Sequence, residues 1–278
     1  MTLQTALLQG TELLENGAIP VPRLTAEVLL AHAVRCARTY LYAHSERELK
    51  EVEWIHFGRY LHERLGGKPT QYITGRQEFY GREFRVNAAV LIPRPETEHL
   101  VETAIQRLAR DPRGSLIVDV GCGSGAIAIS VALELNTPVI ACDISPAALE
   151  VARHNAKTLG APVRFVASDL LSPFAGRSLA AVLSNPPYVP WHAREGLQRE
   201  VRDFEPEVAL FGGPTGNEIY ARLFVEAARV LQPGGLLIVE LGFGSLDAVL
   251  RMTQTGWQDV AVAGDLAGIP RVLTARVI

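Results

Sequence analysis

The spacing of apolar positions changes character near residue 76. Before it, Leu3, Leu7 and Leu14, then Leu24, Val28, Leu29 and Val34, recur at helical spacing and predict two short amphipathic helices. Ser45 followed by Glu48 reads as a capping box for a third. That helix runs through Leu49, Val52, Tyr60 and Leu61 to Leu65 and stops at Gly66-Gly67. Two strand-like runs around Gly81-Arg82, followed by Val90-Leu91-Ile92, predict a hairpin linker that ends at Pro93-Arg94-Pro95. A helix is expected over 96–110.

From there, short continuous apolar runs alternate with helical ones. Segments 116–120, 138–142, 163–167, 179–184 and 236–241 read as buried strands, and 126–133, 146–159 and 217–231 as helices. Segments 258–263 and 271–278 supply two more strands, Pro233-Gly234-Gly235 reads as a turn, and 189–216 shows no clear period. Strands alternating with helices predict a mostly parallel α/β sheet with ligand sites at the carboxyl ends of its strands. The expected organisation is a helical domain over 1–75, a β-hairpin linker over 76–95 and an α/β domain over 96–278.

Composition narrows the class. A chain of 278 residues can bury a sizeable core, and no apolar run approaches the roughly 18 residues of a membrane span. The first twenty residues carry Glu12 and Glu15 but no Lys or Arg, so no import signal is read there. Cys36, Cys122 and Cys142 are odd in number and lack metal-type spacing, which predicts reduced thiols in a cytoplasmic protein. The seven histidines are scattered, so no metal site is expected. A net charge of −3 argues against a dominant nucleic-acid-binding surface.

Candidate chemistry lies in two loops. Asp119-Val120 ends the first predicted strand and leads into Gly121-Cys122-Gly123-Ser124-Gly125 and a helix. That order forms a nucleotide-type cradle, in which glycines admit the ligand and loop N–H groups point at it. Asp143 stands at the end of the next strand, about 20 residues on, where a ribose hydroxyl is bound. Ile144 follows it. Ser145 caps a helix that opens with Pro146. Asp169, after the third strand, can accept from an adenine amino group. The spacing Gly-X-Gly-X-Gly differs from the dinucleotide pattern. Asp119 would repel a diphosphate but accept from an α-ammonium group, which favours S-adenosylmethionine over a nicotinamide cofactor.

The second loop, Asn185-Pro186-Pro187-Tyr188, follows the apolar run that ends at Ser184. Two prolines remove two backbone donors, so acceptors dominate the loop. Such a surface suits a planar –NH2 group, whose hydrogens need accepting and whose flat face Tyr188 can support. No strong base or nucleophile is present. The chemistry this predicts is transfer of an electrophilic carbon to an amide or exocyclic amine nitrogen.

Several motifs together carry a family resemblance over nearly the whole chain. They are Tyr72-Ile73-X-Gly75, Glu78-Phe79-Tyr80-Gly81, Leu91-Ile92-Pro93-Arg94-Pro95-Glu96-Thr97-Glu98, the glycine loop, Ser184-Asn185-Pro186-Pro187-Tyr188, and Phe204-Glu205-Pro206 with Ala209-Leu210. The chain resembles the bacterial peptide chain release factor glutamine methyltransferases, the HemK-like family. Asn-Pro-Pro-Tyr alone is shared with many nitrogen methyltransferases, whereas the Pro-Arg-Pro-Glu-Thr-Glu segment is far more specific.

The resemblance implies a class I S-adenosylmethionine-dependent methyltransferase fold. This is a Rossmann-like, mostly parallel seven-stranded sheet with its last strand antiparallel and an N-terminal helical domain that recognises substrate. It implies methylation of the glutamine in the Gly-Gly-Gln loop of release factors. By the same carry-over Gly121, Gly123 and Gly125 line the methionine end of the cofactor, with Cys122 and Ser124 between them. Asp143 holds the ribose, Ile144 after it belongs to the cofactor-binding set, Asp169 and Leu170 flank the adenine, and Asn185 with Pro186 receives the glutamine amide. No direct nucleic-acid, membrane or metal partner is expected. The rival readings are a DNA or RNA methyltransferase acting on an adenine or guanine amino group, and a non-catalytic module that binds a translation factor.

Overall fold

The structure, a computed structural model, describes residues 1–109 and 116–278. It divides into two compact units, Met1–Arg76 with Gln198–Phe204, and Gln77–Leu197 with Glu205–Ile278. In the first unit α1 (Leu3–Asn16), α2 (Pro22–Val34), α3 (Arg38–Ala43), α4 (Glu51–Leu65) and α5 (Thr70–Thr74) surround a core that includes Leu3, Leu14, Leu29, Leu30 and Phe57.

The capping box expected at Ser45 and Glu48 does not form. Instead Arg47 O accepts from Leu3 N–H and Ser45 O from Gln4 N–H, at 2.9 and 3.0 Å, filling donors that the first turn of α1 would leave orphaned. α4 therefore starts later, where the Glu53 carboxylate accepts from Lys50 N–H at 2.9 Å. The short helices α3 and α5 carry too few turns to show a period, and the sequence gives no sign of them.

The hairpin of β1 (Arg76–Phe79) and β2 (Arg82–Arg85) lies, from Gln77 on, in the second unit. Val90-Leu91-Ile92 is not a strand. Val90 and Ile92 are buried in an irregular segment, and Ile92 N–H donates to Glu205 at 3.3 Å. The helix expected over 96–110 is a 3-10 turn (Pro95–Thr97) followed by α6 (Glu98–Leu108), and Arg110 lies outside the described residues. Then come β3 (Ile117–Val120), α7 (Ala126–Leu135), β4 (Val139–Asp143), α8 (Pro146–Leu159), β5 (Val163–Ala167) and β6 (Leu179–Ser184).

The segment without a period resolves into short elements: β7 (Val189–Pro190), a 3-10 turn, α9 (Arg199–Phe204, in the first unit), α10 (Glu207–Leu210) and β8 (Phe211–Gly213). The chain continues through α11 (Glu218–Val230), β9 (Leu231–Glu240), α12 (Leu246–Met252), β10 (Trp257–Gly264) and β11 (Pro270–Val277). Pro233-Gly234-Gly235 is not a free turn but a bulge within β9, where the pairing with β6 jumps from Leu231 to Leu236.

The seven-stranded sheet has the order β10-β11-β9-β6-β3-β4-β5. β11 pairs antiparallel with both neighbours and the remaining pairs are parallel. One face packs on a core with Ile127, Ile129 and Leu149, the other on one with Val182, Tyr220 and Leu223. Burial on both faces explains why β3 and β6 read as unbroken apolar runs. Strand order reverses between β3 and β6, which opens a crevice at their carboxyl ends. Both loops singled out in the sequence begin there.

Candidate active site

Short-range bonds lock the loop after β3. The N–H groups of Gly121 and Cys122 both donate to Cys142 O, at 2.9 and 3.0 Å. Gly123 N–H donates to Asp143 Oδ2 at 2.9 Å, and Gly125 N–H to Cys122 O at 2.8 Å. The expectation that loop N–H groups are presented to a ligand is therefore corrected: these four are consumed inside the protein. The loop acts by its shape. Gly121 and Gly123 hold φ of +70° and +53°, and a Cβ at either would stand in open space. Asn155 fastens the loop from behind, its Nδ2 donating to Ser124 O at 2.9 Å and Arg85 O at 3.0 Å while its Oδ1 accepts from Arg85 N–H. Cys122 and Ser124 are buried, and Gly125 packs against Ile129 and Ala152.

Asp119 is wholly buried beneath this loop. Its Oδ2 accepts from Ala128 N–H in the first turn of α7 at 3.0 Å, and its Oδ1 has no hydrogen-bond partner. Burial pushes its pKa up to about 7; the Ala128 bond opposes the rise and the nearby Asp143 carboxylate adds to it. A buried carboxylate with an unmet oxygen is a poor structural element and a ready acceptor for a cationic ligand group. The open cradle at Gly121 and Gly123 and this orphaned oxygen fit an adenosyl ligand with an amino-acid tail.

Asp143 also serves the fold. Its Oδ1 accepts from Ser145 N–H at 2.9 Å, opposite the Gly123 bond, so the carboxylate joins the glycine loop to the start of α8. Each oxygen retains a further lone pair for a hydroxyl. Asp169 is exposed and bonds Arg222 Nη2 at 2.7 Å, a partner the sequence did not suggest. Leu170 takes a φ of +46°, and its carbonyl accepts from Ser168 Oγ at 2.9 Å and from the Cys142 thiol. Those bonds hold a residue without glycine's freedom in the left-handed region.

The loop after β6 is anchored on every side. Ser184 Oγ donates to Val120 O at 2.8 Å, tying it to the end of β3. Asn185 Nδ2 donates to Thr97 Oγ1 at 3.2 Å. Tyr188 lies against Gly242, where a Cβ would stand 2.4 Å from the ring. Its backbone carbonyl crowds Gly216, so glycine is required on both sides of this residue. Burial pushes the Tyr188 hydroxyl pKa up to about 12, with the Glu240 carboxyl adding to the effect. That hydroxyl stays protonated near neutral pH and is no proton carrier.

One cavity, enclosing about 890 Å³ with its open mouth, touches both loops. Gly121, Gly123, Asp143, Ile144, Asp169, Leu170, Asn185 and Pro187 line it. Asp119, Cys122, Ser124, Gly125, Pro186 and Tyr188 are not among the lining residues. The sequence reading missed the walls at Ala89, Val90, Leu91, Val208 and Ile219, whose apolar side chains carry no local signal. It quoted Glu205 within a motif but gave it no role. Arg94 forms an ion pair with the buried Glu205, so Pro-Arg-Pro-Glu meets Phe-Glu-Pro at this point.

The described residues hold no cluster able to bind a metal ion and no helix long and apolar enough to cross a membrane. Family models match over residues 5–75 (PrmC N-terminal domain) and 97–201 (methyltransferase small domain). A release factor glutamine methyltransferase of Koribacter versatilis is 45% identical over 99% of both chains. Another, from Moorella thermoacetica, is 44% identical over 99% of this chain and 98% of its own. A methyltransferase of Pyrococcus furiosus with a solved structure superposes with a TM-score of 0.53 at 18% identity, covering 71% of this chain and 90% of that one, a likeness of fold alone. The motifs quoted at the outset run through the span these relatives share, and on that identity the chain belongs to the release factor glutamine methyltransferase family.

Proposed function

We propose that this protein transfers the methyl group of S-adenosylmethionine to the side-chain amide nitrogen of a release-factor glutamine, the one in the Gly-Gly-Gln loop. One observation carries this reading. Asn185 commits its Nδ2 to Thr97, which leaves Oδ1 as an acceptor in the same cavity as the glycine loop. When bound, S-adenosylmethionine supplies an electrophilic methyl carbon on a sulfonium centre. Asp119 would take its ammonium group, Gly121 and Gly123 admit its tail, Asp143 and Ile144 hold the ribose, and Asp169 with Leu170 flank the adenine.

A carboxamide nitrogen is a poor nucleophile because its lone pair is delocalised into the carbonyl. Asn185 Oδ1 and the Pro186 carbonyl accept its two hydrogens and fix its aim, with Pro187 and Tyr188 shaping the face against which the flat amide rests. Such orientation can remove roughly 7–11 kcal/mol of a barrier. The same acceptors stabilise positive charge that grows on nitrogen as the bond forms. The helical unit is assigned to recognition of the protein substrate, as an N-terminal domain over 1–75 joined by the 76–95 linker to the methyltransferase domain over 96–278. A substrate of the translation machinery places the work in the cytoplasm.

The deciding assay supplies labelled S-adenosylmethionine with either purified release factor or bulk nucleic acid. Label on a release-factor glutamine is the expected result. Label on nucleic-acid bases, with none on release factor, would overturn the reading in favour of an amino-group nucleic-acid methyltransferase.

A further inference from the structure

One buried acid near the acceptor loop has no part in the chemistry above. Glu240 ends β9, and the parallel register that sets Ser184 opposite Val239 puts it beside Asn185. It is 3% exposed, and its Oε2 has no hydrogen-bond partner. The Thr97 hydroxyl and the Asn185 amide are its hydrogen-bonding neighbours. Tyr220 fixes the strand end at this point, donating to Glu240 O at 2.7 Å and accepting from Gly242 N–H at 3.1 Å. Burying a carboxylate costs several kcal/mol, and a well-packed apolar side chain would serve the core better. A carboxylate, however, accepts only, and so it dictates which edge of a neighbouring amide must face it.

We infer that Glu240 is a positioning residue for the methyl transfer: together with Thr97 it holds the Nδ2 edge of Asn185, so that Oδ1 alone is presented to the substrate amide. The inference rests on the reading of Asn185 given above. Protonation turns one Glu240 oxygen into a donor and removes the reason for the amide to keep this orientation. An amide turned over would meet the substrate's N–H groups with its own.

The surroundings make this change accessible. Burial raises the Glu240 pKa to about 7; the Thr97 bond, Arg271 and the Asn185 bond oppose the rise, and Glu96 adds to it. The titratable and charged groups around it are Glu96 on the turn before α6, Arg271 on β11, Tyr188 after β6 and Tyr220 on α11, with Arg94 facing Tyr188. The ionised form is the orienting one, so turnover at saturating cofactor should rise with pH through about 7.

The test compares wild type with Glu240→Gln, which keeps shape but can offer the amide either a donor or an acceptor. The expected result is a kcat lower by on the order of 10–100-fold, the scale of a misplaced reacting group, with unchanged cofactor affinity and no step in kcat near pH 7. A second readout needs neither cofactor nor substrate. The Asn185 side-chain amide signal, identified by its loss in Asn185→Ala, should shift between pH 6 and 8 in wild type and stay fixed in Glu240→Gln. Thermal melting checks that the variant is folded, and the wild-type amide titration stands even if it is not. An active wild type whose Asn185 signal ignores pH, or a folded Glu240→Gln variant with wild-type kcat and pH profile, would overturn the inference. A wild type that methylates no release factor would instead sink the functional reading.

Discussion

The helical unit and the sheet unit treat buried carboxylates in opposite ways. In the helical unit Glu27, 3% exposed, is bonded by Arg23, Arg38 and the Tyr42 hydroxyl. Burial works against its ionisation, but the bonds from Tyr42, Arg38 and Arg23 prevail and hold its pKa below the usual value. Glu53 is held down likewise, chiefly by the 2.7 Å bond from Arg47. In the sheet unit Asp119 and Glu240 each leave an oxygen unmet, and each is pushed up to about 7. Glu205, paired with Arg94, shows that the sheet unit can satisfy a buried acid where only structure is at stake. Fully bonded carboxylates suit architecture, whereas under-bonded ones beside the candidate loops are where chemistry is to be sought.

The sharpest way to break this contrast is at the acceptor loop. Asn185→Ala should lower kcat by about 10²–10³-fold, the scale for removing one positioned polar group, while calorimetry finds cofactor affinity within a few-fold of wild type. Equal loss of both would make Asn185 architectural and erase the distinction. The converse holds for Glu27→Gln, which strands Arg23 and Arg38. Denaturant titration should show about 3 kcal/mol less stability with kcat unaffected in the folded protein. Because folding lowers the Glu27 pKa, its contribution is present above the unfolded value of about 4.5 and is lost as pH falls through the folded one. A variant that unfolds no earlier than wild type at pH 7 would count against Glu27 as a structural hub.

A subtler effect is expected at Asp119. Its folded pKa lies above its unfolded one, so it burdens the fold increasingly as pH rises from about 4 to about 7. Relieved of that burden, Asp119→Asn should melt higher than wild type at pH 8, by the equivalent of about 1–3 kcal/mol, yet bind S-adenosylmethionine more weakly. A variant less stable at pH 8 would mean that the carboxylate is structural after all. The smallest change is expected from Asp169→Asn. It breaks an exposed pair with Arg222, worth roughly 0.2–1 kcal/mol, and should alter cofactor affinity less than tenfold by calorimetry. A larger loss would promote Asp169 from the rim of the site to its centre.

Much of this arrangement was legible in the residues. The strand–glycine–helix order, Asp143 at the next strand end and Asn185 after an apolar run all depend on local period and turn chemistry. What escaped was set by partners distant in sequence. The capping box at Ser45 failed because the α1 amides claimed the backbone there, and the glycine-loop amides were claimed by Cys142 and Asp143. The pairing of Arg94 with Glu205 spans more than a hundred residues, beyond the reach of any local pattern. Nor does a single Glu at the end of an apolar strand announce the amide beside it.

The three bonds of Asn155 bear on anyone who would pare this protein down. They stitch Arg85 of the hairpin to Ser124 of the glycine loop. A shortened chain that begins at α6, where the familiar α/β unit starts, would discard a fastening of its own glycine loop along with the hairpin. A minimal fragment therefore keeps the hairpin, and what resembles a tether between two parts is a working component of one.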